Sequence, residues 1–276
     1  PVLVVDSSVE EFRQQELEQT YGARVIVGDI TKPFLLRQLR LHRARRVAML
    51  SDDSFQVYEA GSQIVSLYPK LAKRLVLHCD NLRFMRAMQD SALARECVTF
   101  NSYNLAATGL VTDLLVPHLE RTEMRDVVVI AGFGRFGQTL LEQLHEREPE
   151  EISHYALVDR DVDRRMLVVR EQDRIRDDYE IDIYRGDVSH PDVWRQLAGR
   201  IDLSAGEPIL ILSTGEAANN VRTAVWLKER YPNALVIART NDVSNFALRL
   251  GEEHDIRSIS ITQLVEDNIP PEWLHG

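Results

Sequence analysis

The residues best suited to chemistry form a glycine-rich loop near the middle of the chain. The loop reads Gly132-Phe133-Gly134-Arg135-Phe136-Gly137. It follows an apolar run and precedes a helical one, which is the context of a G-x-G-x-x-G phosphate-binding turn. Gly132 permits the tight turn, Gly134 lets a pyrophosphate approach the backbone, and Gly137 lets helix and strand pack closely. The helix N-terminus then offers unpaired N–H groups to phosphate, and Arg135 is expected to fold over the phosphates.

A carboxylate at the end of the next predicted strand is placed to hold a sugar. Asp159 stands 22 residues after Gly137, close to the spacing of about 20 expected for a ribose-binding acid. Its carboxylate can accept hydrogen bonds from both ribose hydroxyls and would repel a 2′-phosphate. The pattern therefore predicts an adenine nucleotide such as NAD, NADH, AMP or ATP. NADP is less favoured, although the neighbouring Arg160 weakens that preference.

Residues at the ends of the later strands complete the predicted site, and each has a structural alternative. Asp187 follows Gly186 after the third strand, where it would meet the adenine edge or simply form a turn. Ser213 and Thr214 end the fourth strand, near the phosphates or the second ribose, and would serve equally as helix caps. Arg239, on the fifth strand, would neutralise a phosphate or join a surface ion pair.

The elements that must position these residues alternate between short apolar strands and helices. Strands rich in Val, Ile and Leu indicate burial on both faces, which is typical of a parallel sheet covered by helices. The predicted strands lie near 2–5, 24–27, 47–50, 75–79, 97–100, 127–131, 155–158, 181–184, 209–212, 235–238 and 258–261. The predicted fold is α/β, with two tandem Rossmann-like parallel sheets flanked by helices.

The two halves of the chain repeat one another. Residues 23–39 and 181–197 share a strand, Gly-Asp, a proline and a helix that ends in Arg-Gln-Leu. Equivalent points lie 153, 158 and 162 residues apart. These pairs are Asp6 and Asp159, Asp29 and Asp187, and Ser51 and Ser213. Ordered matches at a nearly constant offset indicate a tandem duplication.

The first copy has one predicted strand fewer than the second. Its opening strand and glycine loop are absent, so we do not expect it to cradle a pyrophosphate. Because Pro1 stands where a second strand should begin, we expect a missing piece upstream of it. A largely apolar helix within 101–126 joins the copies. The predicted domains are 1–122, which includes that linker helix, and 123–276.

Composition excludes several classes of protein. The net charge of −10 without a basic block argues against nucleic acid as a partner. The 44% apolar and 28% charged fractions are ordinary globular values, and no run approaches the ~18 apolar residues of a membrane helix, so the sequence predicts a soluble fragment.

Cys79 and Cys97 are expected to be small buried hydrophobes. His118, His145 and His154 are expected in solvent, without metal-ligand spacing.

These residues together resemble a known family. GFGRFGQ, the strand-terminal Asp, the later Gly-Asp and the Ala-Arg of the fifth strand are similar to regulator-of-potassium-conductance (RCK) domains, also called the TrkA N-terminal domain family. The loop is especially similar to that of Kef-type potassium efflux systems. The family's nucleotide site maps onto Gly132, Gly134, Gly137, Asp159 and Asp187. The smaller C-terminal lobe that often follows such domains has no counterpart in this sequence, which puts ligands of that lobe in doubt.

The resemblance implies a cytosolic ligand-binding module, not an enzyme, that gates a potassium channel or transporter at the cytoplasmic face of the membrane. It implies assembly into dimers or larger rings, with a pore domain as partner. One alternative is an NAD-dependent oxidoreductase, although a dehydrogenase needs a substrate domain and the first copy is another Rossmann-like unit. A second alternative is a separate soluble regulatory subunit of a potassium uptake system, which differs only in what precedes Pro1.

Overall fold

The chain divides into two compact units. The computed structural model describes residues 2–122, 124–147, 150–171, 180–241 and 245–274. One unit comprises residues up to Asn101 together with those from Pro270 onward, and the other runs from Ser102 to Ile269. This division falls before the linker helix, whereas the predicted boundary lies after it, at 122/123. Glu123, like the chain ends Pro1 and Gly276, lies outside the described residues, and the domain limits stay a prediction.

The first unit contains five parallel strands in two separate sheets. The strands are β1 (Leu3–Asp6), β2 (Arg24–Val27), β3 (Val47–Met49), β4 (Leu75–His78) and β5 (Val98–Phe100). The helices are α1 (Glu11–Tyr21), α2 (Pro33–Gln38), α3 (Ser54–Leu67), α4 (Leu82–Ala87) and α5 (Ala92–Glu96), with 3₁₀ turns at Leu41–Arg43 and Pro69–Arg74. Strand β1 pairs with β2 alone, and β4 lies between β3 and β5.

The second unit is built on one six-stranded parallel sheet. It begins with α6 (Ser102–Leu110), a π-helical turn (Val111–Leu115) and α7 (Val116–Leu119). The strands are β6 (Asp126–Ala131), β7 (Ile152–Asp159), β8 (Ile181–Arg185), β9 (Ile209–Leu212), β10 (Leu235–Thr240) and β11 (Arg257–Ser260). The helices are α8 (Arg135–Arg147), α9 (Val162–Arg170), α10 (Pro191–Ala198), α11 (Ala217–Arg230), α12 (Asn245–His254) and α13 (Ile261–Asn268). A short α14 (Pro271–Leu274) follows and belongs to the first unit.

The two copies differ in how their strands join. The second copy has the order β11-β10-β9-β6-β7-β8, with β6 between β9 and β7. By the repeat, β3 corresponds to β9 and β1 to β7, and no strand of the described residues corresponds to β6. Without that central strand, the first copy forms a pair and a triplet of strands. The parallel, helix-flanked fold and all eleven predicted strands are confirmed, but the single sheet expected for the first copy is not formed.

The core of the second unit lies on both faces of its sheet. Strand residues alternate between the two faces, so Val128 and Ile130 pack with α6, α8, α9 and α13, while Val129 packs with α10 and α11. Tyr155 and Trp194 are among the largest fully buried side chains, one in each layer. The sheet that carries the glycine loop is therefore held rigidly from both sides.

The linker helix packs within the second unit. Helix α6 lies against α8 and α13, and its buried residues include Ala106 and Leu110. The π-helical turn was not predicted. It comes just before Pro117, whose nitrogen carries no hydrogen to donate to the carbonyl one turn earlier. The apolar surface of the linker helix is therefore buried on more than one side, against α8 and α13.

Two expectations about individual side chains have different outcomes. Cys79 and Cys97 are free and buried, as predicted, and burial raises the pKa of Cys97 to about 11. The prediction of solvated histidines is wrong for His118 and His145, which are both buried. His118 lies with Nε2 3.1 Å from the carbonyl oxygen of Glu207. In the described ranges, every helix is too short or too polar to cross a bilayer.

Candidate nucleotide-binding site

The glycine loop lies where the strand order of the second unit reverses. The chain runs outward from β6 through β7 to β8, and then returns to β9 on the other side of β6. The ends of β6 and β9 are adjacent, with Ala131 opposite Leu212. In open α/β sheets this switch point, at the carboxyl ends of the strands, is where ligands bind.

Two of the three loop glycines are required by the loop itself. Gly132 has φ +101°, and a Cβ there would lie 2.6 Å from the backbone nitrogen of Thr214. A Cβ on Gly137 would lie 2.4 Å from the carbonyl oxygen of Gly132. These approaches leave no room for a side chain, so the turn and the helix-to-strand packing explain both glycines.

The middle glycine has no such explanation within the protein. A Cβ on Gly134 would meet only a guanidinium nitrogen of Arg165, at an ordinary 3.6 Å. The backbone at this position is therefore open, which fits the close approach of a pyrophosphate that the sequence predicts.

Asp159 lies against the loop. One carboxylate oxygen, Oδ2, accepts a hydrogen bond of 2.8 Å from the backbone nitrogen of Phe133. The same oxygen is 2.7 Å from Nη1 of Arg165, and Oδ1 accepts from the backbone nitrogen of Asp161 at 2.9 Å. Asp159 therefore lies at the loop, as the spacing predicts, but the sequence analysis did not predict that Arg165 pairs with its carboxylate.

Asp187 forms an ion pair with Arg160 at the end of β8. Its other oxygen accepts from the backbone and hydroxyl of Ser189, at 2.9 and 2.8 Å. The Arg160 hydrogen bond, with those from Ser189, lowers the pKa of Asp187 to about 2. Asp29 of the first copy makes the same two contacts with Thr31. The turn therefore belongs to the repeat, and a contact of Asp187 with adenine stays a prediction.

Serine and threonine at the end of β9 serve as ties between strand ends. The Ser213 hydroxyl donates to the carbonyl of Gly132 at 2.7 Å. The Thr214 hydroxyl donates to the side-chain oxygen of Asn220 at 2.6 Å, and the Asn220 amide donates to the carbonyl of Arg239 at 2.9 Å. Asn220 is fully buried. These bonds position the crevice, and direct ligand contacts of the two hydroxyls stay predictions.

The remaining predicted residues surround the crevice in different ways. The side chains of Phe133 and Phe136 are buried in the core, so only their backbone faces the loop. The Arg135 guanidinium lies 4.9 Å from the ring centroid of Tyr103, and its place over the phosphates stays a prediction. The half-buried Arg239 side chain makes no hydrogen bond or ion pair within the described part of the chain, so it could still meet a phosphate.

Sequence reasoning missed Arg165 and Asn220. Arg165 stands six residues after Asp159, one turn into α9, where a basic side chain can reach back to the strand end. That spacing was the available signal. Asn220 follows directly after Asn219 at the start of a helix, and nothing in the sequence distinguishes the buried amide from the neighbouring one.

Comparison with known proteins identifies the second copy. The family model described as the TrkA-N domain matches residues 128–263. The second copy therefore carries the match to the TrkA-N domain family. Its match spans the strands and loop that form the crevice, which confirms the resemblance to RCK domains. Among curated proteins, no sequence matches the chain.

Solved structures show that the whole chain shares the fold of RCK domains. The GsuK channel matches with 16% identity and a TM-score of 0.66, covering 99% of this chain and 62% of that one. GsuK bound to ADP matches with 15% identity and a TM-score of 0.61, over 96% and 67% of the two chains. The GsuK channel bound to NAD matches with 13% identity and a TM-score of 0.66, over 99% and 59%. This chain thus spans about three fifths of the length of those two GsuK channel chains.

Proposed function

We propose that this chain is the nucleotide-binding regulatory module of a potassium channel or transporter, at the cytoplasmic face of the membrane. The observation that carries the proposal is the open backbone at Gly134, flanked by the Asp159 carboxylate and the Arg165 guanidinium. The TrkA-N match and the likeness to channel structures support the regulatory setting.

The ligand class we propose is an adenine nucleotide: NAD, NADH, AMP, ADP or ATP. GsuK, which shares the fold, is described with ADP and with NAD. NADP suits the site less well, because the carboxylate of Asp159 would repel a 2′-phosphate at the ribose position.

Each part of the site has a separate task in holding such a ligand. The N-terminus of α8 directs its positive dipole end toward the phosphates, and the bare backbone of Gly134 allows them to come close. Asp159 accepts from the ribose hydroxyls. The site binds and orients the nucleotide. The nucleotide acts through its binding free energy and does not undergo a reaction.

Regulation follows if the nucleotide binds one conformation of the assembly more tightly than another. Coupling between sites is commonly about 1–3 kcal/mol, which is enough to shift a gating equilibrium. The partner we propose is the membrane domain of the channel or transporter, either in the same polypeptide or as a separate subunit. Assembly of the module into dimers or larger rings is part of the proposal.

Binding rather than catalysis is the use of this crevice that the architecture favours. A dehydrogenase pairs its dinucleotide domain with a domain that presents substrate and a general acid or base. Here the first unit also alternates parallel strands with helices, although its strands form two sheets, so it supports a regulatory tandem better than an oxidoreductase.

Gly134→Ala tests the proposed site directly. The added methyl group would meet only the Arg165 side chain, at 3.6 Å, so the fold should tolerate it. Because it blocks the approach of phosphate to the backbone, we expect the affinity for ADP and NAD to fall by about tenfold or more, equivalent to roughly 1.4 kcal/mol. Isothermal titration calorimetry measures the affinity, and thermal unfolding verifies that the variant is folded.

Gly199→Ala is the matched control. Gly199 ends α10 with a helical backbone, and its Cβ would make contacts of 3.4 Å or longer. This variant should bind ADP as the wild type does. If Gly134→Ala also binds ADP with wild-type affinity, the crevice is not the nucleotide site.

A further inference from the structure

Arg165 occupies the space between the two halves of the proposed nucleotide site. Its Nη1 is 2.7 Å from Oδ2 of Asp159 and 3.6 Å from where a Cβ on Gly134 would stand. The arginine thus contacts the carboxylate assigned to the sugar and lies beside the open side of Gly134, whose backbone is assigned to the phosphates. Its side chain is 36% exposed, whereas that of Asp159 is only 11% exposed.

The bonds of Asp159 leave little acceptor capacity for a ribose. A carboxylate offers about four acceptor positions. Three are used, by the backbone nitrogens of Phe133 and Asp161 and by Arg165. Two ribose hydroxyls need two positions, so one partner must leave. The backbone donors are fixed by the loop and the turn, and Arg165 is the partner on a flexible side chain.

The position that Arg165 would move toward is the one a phosphate would take. A phosphate close to the Gly134 backbone lies within contact of the guanidinium. Arginine binds phosphate through charge-assisted, often bidentate hydrogen bonds. A bound nucleotide therefore replaces the Asp159 carboxylate with a phosphate as the partner of Arg165. A nucleoside also displaces Arg165 from the carboxylate, but it supplies no phosphate in exchange.

We propose that Arg165 is a specificity-determining residue that exchanges Asp159 for phosphate, so that the site selects phosphorylated adenine nucleotides over adenosine. This rests on the function proposed above and adds a regulatory consequence. Binding of a nucleotide moves the Arg165 side chain, and because α9 carries this residue, the binding event is transmitted to that helix. Without phosphate, the Arg165–Asp159 pair keeps the sugar position closed.

The test compares ADP with adenosine on the full 276-residue chain, for the wild type, Arg165→Ala and Arg164→Ala. Arg164 is exposed and is the preceding residue on the same helix, so its loss changes the net charge equally. In Arg165→Ala we expect ADP to bind about tenfold or more weakly, as one charge-assisted bond is lost, and adenosine to bind as well as or better than to the wild type. Arg164→Ala should leave the ratio of the two affinities within about twofold of the wild type.

Arg165→Lys keeps the inference testable if the alanine variant does not fold. It retains a cation beside Asp159 but lacks the planar fork, so ADP affinity should lie between those of the wild type and a variant without charge. Calorimetry gives both affinities, and circular dichroism melts report folding. The inference is overturned if Arg165→Ala weakens ADP and adenosine equally, if it behaves as Arg164→Ala does, or if Arg165→Lys matches the wild type for both ligands. Wild-type chain that binds neither ligand would overturn the proposed function as well.

Discussion

Two carboxylates at neighbouring strand ends have unlike surroundings. Asp159 is buried and bonded to the glycine loop and Arg165, whereas Asp187 is more exposed and paired with Arg160. The sequence made both of them ligand-binding candidates: Asp159 because it ends a strand 22 residues after Gly137, and Asp187 because it follows Gly186 after the next strand. Only their contacts distinguish them. The Asp187 turn recurs in the first copy as Asp29, although the residues described in that copy form no glycine loop. Asp159 is the one that the loop itself contacts.

The Asp187 carboxyl gives a prediction about pH. Its pKa is lowered to about 2 by Arg160 first and by Ser189 next. An unfolded chain has the ordinary value of about 3.9, so it binds more protons than the folded chain between about pH 4 and pH 2. The contribution of Asp187 to stability is therefore present above about pH 4 and is lost as the pH falls toward 2.

Arg160→Ala should raise the pKa of Asp187 toward the ordinary value, because it removes the largest cause of the shift. A carbon-13 NMR titration of the carboxyl group measures this, with Arg164→Ala as the control that leaves the pKa low. A wild-type Asp187 that titrates near 4 would show that the ion pair does not persist in solution.

Strand ends in the second unit are joined by buried hydrogen bonds that the sequence did not reveal. The positions and the parallel direction of the strands followed from apolar runs, and β6, β7 and β9 are indeed buried on both faces, whereas β1 and β2 are largely exposed. No pattern in the sequence indicated that Asn220 is buried, because an asparagine near a helix start is ordinarily a surface residue. Its amide nevertheless joins Thr214, after β9, to the backbone of Arg239 in β10. The crevice wall therefore depends on a contact that only the folded chain creates.

Asn220→Ala tests that tie. The substitution removes the partner of the Arg239 carbonyl and leaves a buried acceptor unsatisfied, which costs about 1–3 kcal/mol. Urea unfolding should show that loss of stability. Asn219→Ala is the control from the same helix, where the hydrogen bonds of the side chain are exposed, and its stability should stay within about 0.5 kcal/mol of the wild type. Equal effects of the two substitutions would mean that the buried tie contributes nothing particular.

At the scale of the whole molecule, the two halves of the chain repeat one order of strands and helices but differ in strand pairing. The repeat was legible in the sequence because Gly-Asp turns and strand ends recur at a nearly constant offset. The division of the first copy into two sheets could not be predicted from the sequence, since strand pairing depends on which strand lies between β3 and β1. A glycine loop between a central strand and its helix is described in the second unit, where β6 leads into α8. The chain should therefore hold one nucleotide, not two.

The most direct measurement is a crystal structure of the chain grown with ADP. We predict one nucleotide per chain, with its phosphates against the Gly134 backbone and the Arg165 guanidinium, and its ribose on Asp159. Density for ADP in the first unit, or a crevice at Gly134 that stays closed by the Arg165–Asp159 pair while ADP is bound elsewhere, would contradict the account.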